Sequence, residues 1–332
     1  MRPHSPSDIL RLADIPALLV THRTTIRYLT GLDMSSGVVL VLPRAYHFFV
    51  DGRYTEEAMR QAPSSVHVHA WSLLERALAK IEIAGVEAET MNLSQWKWWK
   101  KKNPNTKFVQ TIGVIAEFRR TKDEEEIALF RRAQRMTREL LSRIPAHLRS
   151  GKSERELAWL LRVWAHELGA DDLSFDPIVS FGSASAEPHH RPTARTLKKG
   201  HVVLVDTGVR YHGYCADQTM TFFTARPTDL QQRVLTAVTE ARDAVIPMMK
   251  PGTTNHDIDA ACRSVLKKHG FADFLPHAIG HGVGLDIHEG ISLSSKAPLQ
   301  ALLPHEIVTV EPGVYLPGKF GIRLEQEVII TE

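Results

Sequence analysis

The sequence predicts an α+β fold in which helices cover one face of a curved antiparallel sheet, and a smaller α/β domain precedes it. The first observation comes from the second part of the chain, where residues that cap helices alternate with predicted hairpins. Each predicted hairpin consists of two runs rich in β-branched residues on either side of a turn. The second observation is that short apolar runs alternate with turn residues and short helical stretches in the first part. We therefore expect two domains, residues 1–116 and 117–332.

The first domain is expected to be an α/β layer, because each of its short apolar runs is followed by a turn signal or a helical stretch. The predicted strands are residues 18–20, 38–42, 47–50, 66–70 and 85–87. The predicted helices are residues 54–61, 73–80 and 95–102.

A basic and aromatic patch, residues 96–102, interleaves Trp with Lys inside the last of these helices. Such patches can bind nucleic acid. This one is short, which favours an amphipathic helix whose Trp side chains pack while its Lys side chains face water. A subunit contact or an active-site rim is the third interpretation, since exposed Trp clusters mark interfaces.

Four helices of the second domain are predicted from an N-cap residue and an acidic or amide partner three positions later. These pairs are Thr121 with Glu124, Ser153 with Glu156, Thr228 with Gln231, and Thr254 with Asp257. Gly270 is expected just beyond the end of the fourth helix. Each helix pair precedes one predicted hairpin, which suggests an internal duplication.

The two predicted hairpins each carry two carboxylates. The first hairpin, residues 201–223, contains Asp206 and Asp217, with its turn at residues 211–214. The second, residues 308–330, contains Glu311 and Glu325, with its turn at residues 317–319. If each hairpin closes midway between its carboxylates, the two become direct cross-strand neighbours with Cβ atoms about 4.5–5.5 Å apart.

These carboxylates predict a metal site. Asp206 and Glu311 each follow an apolar run, where an unpaired charge is expensive. Between the hairpins lies His281, whose glycine neighbours allow close backbone approach. Four oxygen donors and one imidazole suit a pair of divalent ions, which can activate a water for hydrolysis. Solvated carboxylates are the alternative; a structural metal would show Cys₄ or Cys₂His₂ spacing, which is absent from the sequence.

Five motifs in this region resemble those of a known family. They are VDTG, GYCADQTMTF, HAIGHGVGLDIHE, VEPGVY and GIRLE, and they resemble the metal-site motifs of the "pita-bread" metallopeptidases, in particular Xaa-Pro dipeptidases (prolidases) and Xaa-Pro aminopeptidases. In the first domain, IRYLTGL and FVDGRYTEEA resemble the amino-terminal domain of creatinase and prolidase relatives. The resemblance spans essentially the whole chain and implies a pita-bread catalytic domain after a creatinase-like α/β domain.

The resemblance also implies roles for individual residues. The metal ligands would be Asp206, Asp217, His281, Glu311 and Glu325. The residues that hold substrate and stabilise the tetrahedral intermediate would be His189, His277 and His288. Glu311 would also be the general acid and base, and Arg323 would steady the ligands. His190, beside His189, is interpreted as a surface residue.

The implied reaction is hydrolysis of the Xaa-Pro bond of dipeptides or short peptides through a water that bridges two divalent ions. Manganese is the first expectation for the metal, with cobalt, zinc or iron as alternatives. The resemblance also implies a homodimer. Departures from the family pattern at Met220, Ile291 and Gln326 leave the substrate preference, dipeptide or longer peptide, open.

Three other functions are weighed against this one. A creatinase-like hydrolase without metal is disfavoured by the complete set of five ligands. A methionine-aminopeptidase-like enzyme is disfavoured by the long first domain. A catalytically silent binding protein would be expected to have lost ligands, and this chain has lost none of the five.

Composition agrees with a cytoplasmic enzyme that has neither a nucleic-acid nor a membrane partner. The net charge is +3, and 43% of the 332 residues are hydrophobic. No apolar run reaches the roughly 18 residues of a membrane span. The two cysteines, Cys215 and Cys262, form no Cys-x-x-Cys motif, which favours a reducing compartment. Cys215 is expected to be a small packed residue near the site.

Overall fold

A computed structural model of the chain describes residues 5–149 and 151–331. Its contacts divide the chain into two compact units, Met1–Arg119 and Arg120–Glu332. The first is an α/β layer, and the second combines antiparallel strands with helices, as the sequence predicts. Among the described residues, no helix is both long enough and apolar enough to cross a membrane.

The first unit is built on one six-stranded mixed sheet with the strand order β4-β3-β2-β1-β5-β6. The strands are β1 Leu18–Val20, β2 Val38–Leu42, β3 Ala45–Val50, β4 Val66–Ala70, β5 Ile83–Glu87 and β6 Lys107–Thr111. The helices are α1 Pro6–Ala13, α2 Arg23–Thr30, α3 Thr55–Gln61, α4 Leu74–Leu78, α5 Leu93–Lys102 and α6 Val114–Arg120. All five predicted strands and all three predicted helices are present, whereas α1, α2, α6 and β6 were not predicted.

The basic and aromatic patch lies on α5 and has the character of an amphipathic helix. Trp99 is buried, while Trp98 is 42% exposed. The Lys100 ammonium lies 5.3 Å from the centre of the Trp96 ring. The helix therefore packs one Trp into the core of the first unit and leaves its Lys side chains exposed.

The helices of the second unit begin close to their predicted caps. They are α7 Glu124–His147, α8 Glu154–Glu167, α9 Asp229–Val245 and α10 Asn255–Lys268. The caps Ser153, Thr228 and Thr254 are confirmed. The prediction that Thr121 caps α7 was wrong: Asp123 caps it, in a reciprocal pair with Glu126. The reason is that the Lys122 N–H donates to His305 O, which holds this segment outside the helix.

The strands of the second unit form short antiparallel groups. They are β7 Asp172–Leu173, β8 Ile178–Phe181, β9 Val202–Thr207, β10 Val209–Tyr211, β11 Tyr214–Cys215, β12 Gln218–Phe223, β13 Ile307–Val310, β14 Gly313–Leu316, β15 Phe320–Arg323 and β16 Gln326–Ile329. The first hairpin is β9 to β12, and the second is β13 to β16. The two are joined where the Glu325 N–H donates to Thr219 O.

The predicted pairing of the first hairpin was wrong by two residues. Tyr211 pairs with Tyr214, so the turn is His212-Gly213, and both turn residues have positive φ. Two positive φ values are what a two-residue type I′ turn requires. Asp206 therefore pairs with Thr219, not with Asp217. Because the shift is an even number of residues, both carboxylates still share one face of the sheet.

The second hairpin has the predicted register. Val310 pairs with Gln326, and Gly313 pairs with Arg323, so Glu311 lies opposite Glu325 between these pairs. The turn is centred on Gly318, which has a positive φ of 71°. This hairpin closes where the sequence predicts.

Each hairpin is covered by its own helix pair. α7 and α8 pack through Phe130 and Leu157 against the strand residues Val203 and Val205. In the same way, α9 and α10 pack against β13 to β15. Since side chains alternate along a strand, Asp206 points away from the face that Val203 and Val205 present to the helices. The carboxylates therefore lie on the face that the helices leave open.

Candidate metal centre

A cavity of about 840 Å³ in the second unit brings together all of the predicted site residues. They are His189, Asp206, Asp217, His277, His281, His288, Glu311, Arg323 and Glu325. They come from both hairpins, from the segment between them and from the segment that follows β8. Residues spread over more than a hundred positions of the sequence thus converge on one site.

Three breaks in the strands position the carboxylates. Asp217 lies between β11 and β12, Glu311 between β13 and β14, and Glu325 between β15 and β16, while Asp206 belongs to β9. Opposite Asp217 stands Gly208, at which a Cβ atom would overlap the carbonyl oxygen of Ala216. A break in a strand turns the local chain, which lets the carboxylates converge instead of following a straight row.

His281 reaches the site because both of its neighbours are glycine. A Cβ atom on Gly280 would overlap Thr309 O, and one on Gly282 would overlap Glu289 O. The His281 Nδ1–H donates to Gly282 O at 3.1 Å, since a carbonyl can only accept. The Nε2 atom then faces Asp217 Oδ2 at 3.5 Å and Glu311 Oε1 at 3.6 Å. Burial lowers the pKa of His281 to about 4, so the ring is neutral.

Several carboxylate oxygens of the site have no hydrogen-bond partner. Within residues 5–149 and 151–331, this holds for Asp206 Oδ1, Asp217 Oδ1 and Glu325 Oε1, all of them buried. Burial and then the neighbouring carboxylates raise the pKa values of Asp217 and Glu325 well above their ordinary range. A cation among these oxygens would remove both the repulsion and the missing contacts.

The donor set therefore fits a divalent metal. Ligand atoms of Asp217, His281 and Glu325 all lie within 4.8 Å of one another. His281 has the tautomer expected of a ligand, with one ring nitrogen donating to a carbonyl and the other open. Oxygen and imidazole donors without thiolate suit the harder divalent ions.

Each hairpin orients a carboxylate of the other hairpin. Arg323, from the second hairpin, donates from Nη2 to Asp206 Oδ2 at 2.5 Å. Thr219, from the first hairpin, donates its hydroxyl proton to Glu325 Oε2 at 2.7 Å. Arg323 Nε in turn donates to Thr219 Oγ1 at 2.9 Å, which joins the two contacts. Each of the two carboxylates thus has one fixed oxygen and one left open.

Glu311 lines the same cavity as the other carboxylates. Its Oε2 atom lies 4.0 Å from His277 Nδ1. Burial raises the pKa of Glu311 to about 7, the positive charge of Arg323 opposes this rise, and the negative charge of Asp206 adds to it. A carboxyl group with such a pKa can both accept and return a proton near neutral pH.

The three predicted active-site histidines differ in what they contact. Both ring nitrogens of His277 are hydrogen-bonded, because Nδ1–H donates to Ala278 O at 2.6 Å and Nε2 lies 2.8 Å from the Tyr315 hydroxyl. That hydroxyl also accepts from Arg323 Nη1 at 2.7 Å, so its own proton goes to His277. In the part of the chain that the structure describes, the His189 and His288 side chains make no hydrogen bond, and both line the cavity.

The structure adds residues that the sequence analysis did not assign. Thr219 and Tyr315 are two of them, and both lie inside the quoted motifs. Glu327 is a third: its carboxylate accepts from the Asp217 N–H at 2.7 Å and from Gln218 Nε2 at 2.7 Å. Glu327 lies two residues after Glu325. Because residues two apart on a strand share a face, this spacing could have indicated Glu327 from the sequence.

Cys215 is buried in the core of the second unit, as expected. Burial raises the pKa of its thiol to about 11, so the thiol is protonated near neutral pH. Its sulfur lies 3.8 Å from Leu285 O. Cys215 therefore packs beside the site as a small thiol and offers no thiolate to it.

Two family models match the chain. The model described as metallopeptidase family M24 matches residues 128–332, and the model described as the creatinase/prolidase N-terminal domain matches residues 7–121. The chain belongs to metallopeptidase family M24. The M24 match contains all nine predicted site residues, and the fold implied by the resemblance, a pita-bread catalytic domain after a creatinase-like domain, is confirmed.

Solved structures and curated sequences agree with this family. An Xaa-Pro dipeptidase from Bacillus anthracis superposes with a TM-score of 0.93 at 30% identity, covering 99% of this chain and 95% of that one. An X-Pro aminopeptidase from Thermotoga maritima has a TM-score of 0.90 at 30% identity, covering 98% and 95%. An uncharacterised peptidase of Bacillus subtilis is 31% identical over 96% of this M24 chain and 92% of its own.

Proposed function

We propose that this M24 metallopeptidase hydrolyses the Xaa-Pro bond of dipeptides or short peptides, with two divalent ions held by Asp206, Asp217, His281, Glu311 and Glu325. The observation that carries the proposal is the set of buried carboxylate oxygens without partners around a neutral imidazole. Manganese is our first expectation, since hard oxygen donors predominate. When bound, the ions would supply Lewis-acid activation of the scissile carbonyl and of the attacking water.

Glu311 is the residue that we expect to move the proton. It would take a proton from the attacking water and return it to the leaving nitrogen. Without metal its pKa is raised to about 7, near the range in which a general base works at neutral pH, and bound ions would lower it from there. The nitrogen of an Xaa-Pro bond is tertiary, and it needs this proton before it can leave.

His189 and His288 are the residues that we expect to contact the substrate. Burial lowers the pKa of His288, so its ring is neutral and can donate one N–H to a developing oxyanion. His277 supports the site through Tyr315, because the Arg323 guanidinium, the Tyr315 hydroxyl and the His277 ring form one chain of hydrogen bonds. This chain fixes the side of Arg323 that does not contact Asp206.

The proline preference is supported by the relatives. Dipeptidases, prolidases and aminopeptidases for Xaa-Pro bonds stand among the structures that this chain resembles. The cavity is large enough for a dipeptide or a short peptide. Glu311, once it holds the proton taken from water, would act as the general acid for the tertiary nitrogen of a proline substrate.

Hydrolysis by protein stripped with a chelator and reloaded with manganese tests the proposal. Gly-Pro and Ala-Pro are compared with Ala-Pro-Ala, and Ala-Ala and Ala-Ala-Ala are the matched peptides without proline. Restored cleavage of the proline dipeptides alone identifies a dipeptidase, and cleavage of Ala-Pro-Ala identifies an aminopeptidase. Equal cleavage of the peptides without proline, or no cleavage despite bound metal, contradicts the proline-specific function.

A further inference from the structure

Glu154, the first residue of α8, has a buried carboxylate that accepts hydrogen bonds from three residues outside the helix. Its side chain is 0% exposed. Oε1 accepts from the Phe181 N–H at 2.9 Å. Oε2 accepts from the Thr193 N–H at 2.9 Å, from the Thr193 hydroxyl at 2.7 Å and from His190 Nε2 at 3.0 Å. One carboxylate thus ties the end of β8 to residues 190–193.

His190 is the hydrogen-bonded charged partner of Glu154, which corrects its interpretation as a surface residue, and Arg195 Nε lies farther away, 3.9 Å from Glu154 Oε1. The His190 side chain is only 9% exposed. Nε2 faces Glu154, and Nδ1 faces Glu187 Oε2 at 2.8 Å. Because a carboxylate can only accept, both ring nitrogens must carry hydrogen. Burial alone would lower the pKa of His190, but the hydrogen bonds to Glu154 and Glu187 outweigh burial and raise it.

The segment that Glu154 and His190 hold, residues 187–193, carries His189. Among the residues that the structure describes, the His189 side chain has no hydrogen bond or ion pair of its own, although it lines the cavity. Its position is therefore set by the backbone on either side. On one side Pro188 O accepts from Arg323 Nη1 at 3.3 Å, and on the other side His190 is fixed by Glu154.

Helix capping does not account for this carboxylate. The first turn of α8 is already capped by Ser153 and Glu156, which exchange hydrogen bonds with each other's backbone N–H groups. Glu154 instead directs both oxygens to residues outside the helix. A buried carboxylate that accepts from four donors, three of them in residues 190–193, fixes the conformation of that stretch relative to the end of β8.

We propose that Glu154 and His190 are positioning residues that hold residues 187–193 so that His189 projects into the catalytic cavity. This inference rests on the proposed function of the site. Glu154 does not line the cavity, and His190 lies in its wall with both ring nitrogens turned to carboxylates, so both act through His189. Loss of the Glu154–His190 contact should release His189 from its productive position while the metal-binding residues stay in place.

The test is a double-mutant cycle on the manganese-loaded enzyme with Ala-Pro or Ala-Pro-Ala, whichever the wild type cleaves. Glu154→Gln is combined with His189→Ala, and Glu156→Gln is the matched control on the same helical turn. Glu154→Gln alone should lower kcat/KM about 10- to 100-fold, the range expected when a reacting group is misplaced by about 1 Å. Added to His189→Ala, it should cause no further loss beyond about twofold. Glu156→Gln should leave kcat/KM unchanged.

A gentler pair of variants covers the case in which Glu154→Gln fails to fold. In His190→Gln the amide nitrogen lies near the position of Nε2 and keeps the contact with Glu154, whereas in His190→Asn it lies near Nδ1 and keeps the contact with Glu187. We expect His190→Gln to retain most of the activity and His190→Asn to lose about 10-fold or more, with bound metal unchanged in both.

The contradicting results are distinct. Additive losses in the cycle, equal loss in the two His190 variants, or loss of bound metal in step with activity would overturn the positioning role and leave the peptidase function intact. A wild-type enzyme that cleaves no Xaa-Pro peptide would instead overturn the proposed function, and the role of His189 with it.

Discussion

The two acidic hairpins perform the same task with different backbone geometry. One register runs through both strand pairs of each hairpin, but only in the second do the two carboxylates, Glu311 and Glu325, stand opposite each other. In the first hairpin, Asp206 pairs with Thr219, and Asp217 is diagonal to it. Nevertheless both pairs reach one cavity. The face of the sheet on which a carboxylate lies, rather than its exact partner, decides whether it joins the site.

The difference also gives the hairpins reciprocal roles. Because Asp206 pairs with Thr219, the Thr219 hydroxyl lies where it can donate to Glu325 of the other hairpin. In the opposite direction, Arg323 of the second hairpin donates a hydrogen bond to Asp206 of the first. Neither hairpin orients its own carboxylates through these two contacts. The centre should therefore lose its geometry when either hairpin is altered.

The largest expected effect comes from neutralising one carboxylate in each hairpin. Asp217→Asn and Glu325→Gln should each lower kcat about 1000-fold or more and reduce bound metal, because each removes an anionic donor from the same centre. Both variants should be more stable than the wild type without metal, by about 1–3 kcal/mol, since a buried unpaired charge is lost. Activity assays, metal analysis and urea unfolding check these outcomes.

Unequal metal content in the two variants would show that the two hairpins contribute differently to metal binding. If Asp217→Asn retained full metal content while Glu325→Gln lost it, the second hairpin alone would hold the metal. If the metal-free variants were only as stable as the metal-free wild type, that result would contradict the unpaired state of the carboxylate oxygens.

A smaller effect is expected from the contacts between the hairpins. Thr219→Val removes the hydroxyl that joins Glu325 to Arg323, and Arg323→Lys removes the forked contact with Asp206 and Tyr315. We expect losses of about 10- to 100-fold in metal affinity or activity, the usual range for residues that orient ligands. Isothermal titration with manganese measures the affinity.

Thr221→Val is the matched control for Thr219→Val. Thr221 lies on the same strand, and its hydroxyl donates to the Arg323 backbone carbonyl instead of a carboxylate. Its loss should change metal affinity by less than about threefold. Equal effects at the two threonines would mean that strand stability, rather than carboxylate orientation, explains the loss.

The smallest effect is expected from glycine substitutions that compare the backbones of the hairpins. Gly208→Ala should cost about 1–3 kcal/mol, because its Cβ atom would overlap Ala216 O. Gly318→Ala should cost only about 1 kcal/mol, since open space surrounds its Cβ position and the positive φ is the only strain. Thermal unfolding measures both, and a larger cost at Gly318 would reverse the comparison.

The sequence predicted which residues share one cavity because its motifs carry both the residue types and the face of each strand. Because side chains alternate between the two faces of a strand, Asp206 lies on the face opposite Val203 and Val205 in any register. The exact register of the first hairpin was missed, because the positive φ of His212 depends on closure of the turn by Tyr211 and Tyr214. An even shift preserved the face, so the error did not affect the site.

Contacts between distant segments could not be predicted in the same way. Helix α2 has no side-chain cap, and it is stabilised by burial of Ile26, Tyr28 and Leu29. The α7 cap was misplaced because the distant residue His305 holds Lys122 outside the helix. His190 looked like a surface residue, since nothing in its local sequence indicates that Glu154, 36 positions earlier, would face it.

The central claim is that both hairpins hold one pair of metal ions. Anomalous diffraction from a manganese-loaded crystal, measured at the manganese edge, tests it most directly. The account predicts two peaks in the cavity, about 3.5–4 Å apart, among Asp206, Asp217, His281, Glu311 and Glu325. A single peak contacting the carboxylates of one hairpin only, or no peak in the cavity, would contradict it.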